Sequence, residues 1–126
     1  MRRRAGFTLI ELIVVLTIIS LLLTLAAPNY FRSMQRSKET ALKQNLATLR
    51  DAIDKFHSDQ GKYPDALADL ASRRYLRTLP QDPVTQSAET WITLAPPADA
   101  NTPGQVYDVR SGAAGNAVDG TAYAEW

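Results

Sequence analysis

Residues 1–28 read MRRRAGFTLIELIVVLTIISLLLTLAAP, and this stretch decides how the rest of the chain is organised. Phe7–Ala27 is an apolar run of 21 residues in which Glu11 is the only charged side chain. A helix of that length is about 31 Å long, close to the hydrocarbon thickness of a bilayer. Three arginines at residues 2–4 precede the run, so the positive-inside rule places the N-terminus in the cytoplasm. The sequence therefore predicts a single membrane-spanning helix near its start.

An ordinary secretory signal is the alternative to a retained membrane anchor. The apolar core of such a signal would be shorter and would end in a small-x-small cleavage site. Residues 25–28 are a poor version of that site, because a proline directly after the cut disfavours cleavage. The length of the run and its ending both favour a retained anchor.

Glu11 is costly in a plain anchor, since a carboxylate near the end of a membrane span costs on the order of a few kcal/mol. Apolar side chains give packed helices little register in lipid, because the lipid tails are equally apolar. A carboxylate can supply that register where a partner brings a positive charge. The alternative is a charge tolerated near the membrane edge, which gives Glu11 no role.

Apolar residues beyond the run recur at spacings of four and three, which places them on one face of a continuing helix. These residues are Leu42, Leu46, Leu49, Ile53 and Phe56. Pro28 removes one backbone hydrogen bond, so we expect a helix break there, as a kink or loosening near residues 24–28. Gly61 and Pro64 stop the pattern. The prediction is one helix over residues 7–60, apolar all round in its first half and amphipathic in its second.

The residues after this helix are expected to cover its apolar stripe. Residues 63–70 predict a short helix with Leu67 and Leu70 facing inward. Three segments read as short β-strands, namely residues 91–94, 106–109 and 121–126. A small sheet packed against a helix can bury an apolar face. The predicted fold class is α+β, with a long N-terminal helix packed against a short helix and a small antiparallel β-sheet.

Composition excludes several kinds of site. The chain has no cysteine, which rules out disulfides, zinc–thiolate sites and a thiol nucleophile. The net charge is +1, and beyond the leading arginines 11 basic residues face 13 acidic ones, unlike the clustered basic surface of a nucleic-acid binder. His57 is the only histidine, so the sequence predicts neither a catalytic triad nor a metal cluster. No glycine-rich phosphate loop follows a strand, and we expect no enzymatic activity.

The stretch Gly6-Phe7-Thr8-Leu9-Ile10-Glu11 lies between a basic leader and a long apolar run. It resembles the class III signal of type IV pilins and type II secretion pseudopilins. The resemblance implies that a prepilin peptidase cuts between Gly6 and Phe7 and that Phe7 becomes N-methylated. It also implies that Glu11 pairs with the Phe7 ammonium of a neighbouring subunit as a filament grows. Such a pair leaving water is stable only at close range, so it would set the axial step.

The same resemblance implies a division of the chain into three parts. Residues 1–6 are a cleaved leader, and residues 7–28 are a transmembrane and polymerisation helix. Residues 29–126 form a periplasmic domain that includes the second half of the helix. The precursor is expected in the inner membrane as a single-pass protein with a cytoplasmic N-terminus.

Three further segments resemble the G-type, or major, pseudopilin of type II secretion: residues 59–64, 75–83 and 107–112, with Trp126 as the last residue. Type IV pilins usually close their C-terminal region with a disulfide, so the absence of cysteine favours a pseudopilin. The resemblance implies a structural subunit that polymerises into a periplasmic pseudopilus driving protein export. Its implied partners are copies of itself, prepilin peptidase, minor pseudopilins, the inner-membrane assembly platform and, before assembly, membrane lipid.

The G-type resemblance also implies a calcium ion in the C-terminal loop, held by aspartates and backbone carbonyls. A hard cation needs several oxygen ligands. The loop at residues 111–120 has one carboxylate, Asp119, with Asp108 and Asn116 nearby, so the acidic cluster of the family is largely absent. A Gly/Ala loop with turn-forming Asn and Asp is the simpler interpretation, and we assign no metal ligand and no cofactor.

Two other functions stay open at this point. One is a type IV pilin for adhesion, motility or DNA uptake, which genomic context or surface fibres would distinguish. The other is a membrane-anchored periplasmic domain that never polymerises. This last alternative predicts that the Glu11→Ala substitution has no effect and that the leader is retained.

Overall fold

The computed structural model describes residues 2–126 and is dominated by one helix, α1 (Leu9–Gln60, 52 residues). The helix begins two residues after the predicted start and ends at the predicted residue. Gly61 follows it with φ of 70°, and its N–H donates to the carbonyl of His57 at 2.9 Å. A left-handed residue bonded back in this way satisfies a terminal carbonyl of the helix. Gly61 therefore ends α1 as its position in the sequence predicts.

Pro28 lies inside α1, and the residues on both sides of it are helical. Proline removes one N–H from the helical ladder without necessarily ending the helix. The helix therefore continues through Pro28, and the expected break does not interrupt the helical structure there. The expected weakness of residues 24–28 stays a prediction.

The chain forms two compact units, one ending at Met34 and the other spanning Gln35–Trp126. The first unit holds the apolar part of α1. The second holds the amphipathic part of α1 and all later elements. The predicted division at residue 28 marks the end of a membrane segment rather than a packing unit, and it stays a prediction.

The core of the second unit is built on the predicted stripe of α1, and every member of the stripe is buried: Leu42, Leu46, Leu49, Ile53 and Phe56. Residues from the later part of the chain belong to the same core, among them Leu70, Val106, Val109 and Tyr123. Burying five large side chains of one helix contributes roughly 1.5–3 kcal/mol each. The amphipathic half of α1 therefore holds the second unit together through this buried stripe, although its outer face is polar.

The short helix α2 spans Ala68–Ser72, further along the chain than the predicted segment. Leu67 precedes it and Leu70 lies within it, and both side chains are buried as expected. The Asp69 carboxylate accepts hydrogen bonds from the backbone N–H groups of Asp65 and Ala66, at 3.1 and 3.2 Å. These bonds organise the turn that leads into α2, because they satisfy donors that the helix leaves unpaired.

Two strands, β1 (Ile92–Leu94) and β2 (Asp108–Arg110), pair antiparallel with Thr93 opposite Val109. The α+β prediction and its small antiparallel sheet are confirmed, with strand bounds shifted by one or two residues. The predicted third strand is wrong. Tyr123–Glu125 is instead a 3₁₀ turn, and Ala122 makes only a single bridge to Asn116. Tyr123 turns into the core, and that tertiary contact overrides the β-propensity of the segment.

The loop that contains Pro80 and Pro83, before β1, is fixed by a buried carboxylate that was not predicted from sequence. Asp82 is fully buried; its carboxylate accepts from the backbone N–H of Val84 at 2.8 Å and from the Ser111 hydroxyl. Trp91 donates its indole N–H to the carbonyl of Pro80 at 2.8 Å. A buried polar group needs such partners to offset its lost hydration. The loop therefore joins the core through hydrogen bonds as well as apolar contact.

Candidate processing and assembly site

The predicted cleavage point lies in exposed, non-helical chain just before α1. Residues 2–8 have no regular secondary structure, and Phe7 is 87% exposed. A Cβ added at Gly6 would meet no atom within 4 Å, and the backbone of Gly6 is not left-handed. Nothing within residues 2–126 therefore demands glycine at residue 6.

Thr8 and Glu11 form a reciprocal capping pair at the start of α1. The backbone N–H of Glu11 donates to the Thr8 hydroxyl at 3.2 Å, and the backbone N–H of Thr8 donates to the Glu11 carboxylate at 3.1 Å. This is the capping box, in which an N-cap threonine and a glutamate three residues later satisfy each other's backbone donors. The carboxylate also lies at the positive end of the helix dipole.

This local role of Glu11 was not predicted from sequence, although the T-x-x-E spacing of Thr8 and Glu11 indicates it. Glu11 therefore has a partner within its own chain. Among residues 2–126 the ion pairs are Arg50–Asp108 and Lys55–Asp51, and Glu11 is in neither. In the uncleaved chain the nitrogen of Phe7 is a peptide N–H. The predicted pairing of Glu11 with a Phe7 ammonium thus needs a cut chain, and it stays a prediction.

The apolar part of α1 presents a continuous uncovered surface. Within residues 2–126, α1 is the one helix long and apolar enough to cross a bilayer, and none of its most apolar stretch is buried in the chain. The hydroxyls of Thr17, Ser20 and Thr24 each donate to the carbonyl four residues earlier, at 2.7–2.8 Å. Because these polar groups are satisfied internally, the surface suits lipid or another apolar helix.

The two carboxylates considered for calcium accept hydrogen bonds from other groups of the chain. Asp108 accepts from Arg50 Nε at 2.9 Å, and Asp119 accepts from the N–H and hydroxyl of Thr121 at 3.0 and 2.6 Å. The Thr121 hydroxyl, followed by its N–H, lowers the pKa of Asp119 below the usual range. Residues 2–126 contain no group of three His, Cys, Asp or Glu side chains placed to hold a metal. This donor set does not fit a calcium ion.

The single histidine has a packing role at the end of α1. The rings of His57 and Tyr63 stack with centroids 4.2 Å apart and planes 17° apart. The phenol of Tyr63 in turn meets Tyr107 edge to face at 5.3 Å. Burial raises the pKa of the Tyr63 hydroxyl above its ordinary value. His57 thus contributes to an aromatic cluster that joins the end of α1 to the segment before β2.

A family model agrees with the geometry of the N-terminal segment. Residues 1–27 match the model described as the prokaryotic N-terminal methylation motif. The match covers the leader, the exposed Gly6–Phe7 bond, the capping pair and the apolar surface of α1. It does not extend into the second compact unit.

Curated relatives cover much more of the chain. Type II secretion system core protein G of Klebsiella pneumoniae is 31% identical over 99 residues, covering 66% of this chain and 71% of that protein. The core protein G of Aeromonas hydrophila is 30% identical over 98 residues, covering 65% and 68%. The type IV major pilin of Myxococcus xanthus is 43% identical over 63 residues, but this chain spans only 29% of its length. No solved structure matches the chain significantly.

Proposed function

This chain belongs to the family of type II secretion system core protein G, and we propose that it is made as a membrane precursor, cut after Gly6 and polymerised through α1 into a periplasmic pseudopilus. The observation that carries the proposal is 31% identity to a core protein G over 71% of that protein's length. The match of residues 1–27 to the methylation motif supports processing at the same segment. The role is structural, and no catalytic residue is assigned.

Processing is the first step of the proposal. Prepilin peptidase would bind the exposed segment around Gly6, hydrolyse the Gly6–Phe7 peptide bond and direct methylation of the new Phe7 nitrogen. Residues 2–7 have no regular secondary structure and are exposed, so an enzyme could reach the Gly6–Phe7 bond without unfolding a helix. Residues 1–6 are the proposed leader, and the cut removes the three arginines that hold the N-terminus in the cytoplasm.

Polymerisation is the second step. The cut creates an ammonium at Phe7, and we assign Glu11 of the neighbouring subunit as its partner. Both charges lose water as apolar helices pack, so the pair is favourable only at contact distance and fixes the axial register. The exposed apolar side chains of α1 would exchange lipid for neighbouring helices. Pro28 gives this helix a site where it can loosen during packing, since one backbone bond is missing there.

The proposed topology follows from the same segment. Residues 7–28 cross the inner membrane with the N-terminus in the cytoplasm, and residues 29–126 lie in the periplasm. Further copies of the chain are the main partner. Prepilin peptidase, minor pseudopilins and the inner-membrane assembly platform are the other proposed partners, and membrane lipid surrounds the helix before assembly.

Mass spectrometry of the N-terminus of the mature chain tests the proposal. The expected result is a chain that begins at Phe7 and carries one methyl group on its nitrogen. Gly6→Ala is the matched variant, because the chain has room for the added Cβ. It is expected to fold and insert normally while retaining residues 1–6. A wild-type chain in membranes that keeps Met1–Gly6 would overturn the proposal.

A type IV pilin is the second candidate function. The observation that favours it is the 43% identity to the Myxococcus xanthus pilin. That match covers half of this chain, whereas core protein G is matched along a larger share of both proteins. Loss of protein export without loss of surface fibres, in cells lacking this chain, would distinguish the pseudopilin from the pilin.

A further inference from the structure

We propose that Arg50 and Glu39, two side chains of α1 that we call the clamps, hold the C-terminal segment 106–126 in place of a bound cation, so that this segment folds and functions without calcium. The proposal stands on contacts within the second compact unit. Its consequence for assembly, that the pseudopilus forms in calcium-free medium, rests on the proposed function.

Arg50 gathers three oxygens of the segment around one positive charge. Its Nε donates to the Asp108 carboxylate at 2.9 Å, and its Nη2 donates to the carbonyls of Val109 and Trp126 at 3.0 and 2.8 Å. A guanidinium keeps its charge at every relevant pH and presents its donors in a fixed fork. One side chain therefore ties both ends of the segment to α1, as an oxygen-coordinated cation ties the loop that surrounds it.

Glu39 gathers the donors of the same segment around one negative charge. It is only 9% exposed, and its Oε1 accepts from the backbone N–H of Val118 at 2.8 Å and the Tyr123 hydroxyl at 2.9 Å. Gln35 donates to the same oxygen at 3.3 Å. Burial, the largest effect, together with the neighbouring carboxylate raises the pKa of the Tyr123 phenol, so the phenol stays a donor. A buried carboxylate with such donors keeps the hydrogen bonds that water would otherwise supply.

The two clamps, Arg50 and Glu39, lie on the same face of α1. Residues 39 and 50 are separated by three turns of helix, so their side chains point in nearly the same direction. Lys43 lies between them along α1, with its ammonium 4.5 Å from the Trp126 ring. Asp119, the carboxylate of the intervening loop, is held by Thr121. The two carboxylates considered for calcium, Asp108 and Asp119, thus each have an oxygen already bonded to donors of the chain itself.

Thermal unfolding of the full-length chain in detergent micelles, followed by tryptophan fluorescence, tests the clamps. We compare the midpoint in EDTA with the midpoint in millimolar CaCl₂. The expected difference for the wild-type chain is below about 1 °C, because no ion is bound to be removed. Arg50→Met and Glu39→Ala are each expected to lower the midpoint by roughly 5 °C or more, with no recovery in calcium. Arg36→Met and Gln44→Ala, at exposed positions of α1, are the controls.

Either of two results would overturn the inference. One is a wild-type midpoint that falls by several degrees in EDTA or rises in calcium. The other is an Arg50→Met and a Glu39→Ala chain that both unfold like their controls. If either variant fails to fold, Arg50→Lys and Glu39→Gln replace it, with proteolytic cleavage within residues 106–126 as the readout. A negative result here leaves N-terminal processing untouched, so the two proposals fail separately.

Discussion

At the scale of a single residue, Glu11 has one observed role and one proposed role, at different stages. In the intact chain its carboxylate caps α1 through the N–H of Thr8. After cleavage the same carboxylate is the proposed partner of a neighbouring ammonium. The motif around Gly6 was enough to predict the second role. The first role was not predicted, although the T-x-x-E spacing of Thr8 and Glu11 is a local signal for it.

Thr8→Ala separates capping from charge. Loss of the threonine hydroxyl removes the acceptor for the Glu11 N–H, and a lost N-cap costs about 1 kcal/mol. We expect the amide hydrogens of Glu11 and Leu12, which both bond to Thr8, to exchange about fivefold faster in micelles. Thr17→Ala is the control, since that hydroxyl only bonds back to the Ile13 carbonyl. Equal exchange in the two variants would show that the capping pair does not hold the first turn.

At the scale of elements, periodicity and stop signals predicted α1 well. The stripe of α1 is local in sequence, so its five members could be found by spacing alone, and Gly61 marked the end. The segment 121–126 could not be predicted this way. Its residues favour a strand, but Tyr123 is held by Glu39, 84 residues away, and this contact makes it a 3₁₀ turn. The tertiary contact overrides the local preference for a strand, and a short window of sequence does not contain it.

Gly61 and Gly6 make a matched pair for testing helix ends. A Cβ at either residue meets no atom within 4 Å, but only Gly61 is left-handed, with φ of 70°. Gly61→Ala is therefore expected to lower the free energy of unfolding by about 1 kcal/mol through backbone strain alone. Gly6→Ala is expected to leave stability unchanged and to block only processing. Denaturant unfolding of both full-length variants measures the difference, and equal stability would contradict the proposed cap.

At the scale of the whole molecule, the two compact units differ in whether their apolar side chains are buried. The unit ending at Met34 keeps its apolar surface uncovered, while Gln35–Trp126 buries its own core. Hydropathy and the motif near Gly6 predicted the first arrangement. The clamps of the second unit join residues 58 to 84 positions apart, such as Arg50 with Asp108 and Glu39 with Tyr123. Those long-range pairs have no signature in sequence spacing, so the fold class was predictable while its clamps were not.

The yield of sedimentable filaments from cells making Glu11→Gln decides whether charge at this residue drives assembly. Glutamine can keep the capping box but cannot pair with an ammonium as an ion. We predict a processed, methylated chain that stays in the membrane, with filament yield reduced at least about tenfold, the effect of about 1.4 kcal/mol. Thr8→Ala, which loses the cap and keeps the charge, is predicted to assemble. A wild-type filament yield from Glu11→Gln would contradict the assignment of Glu11 as the register residue of the pseudopilus.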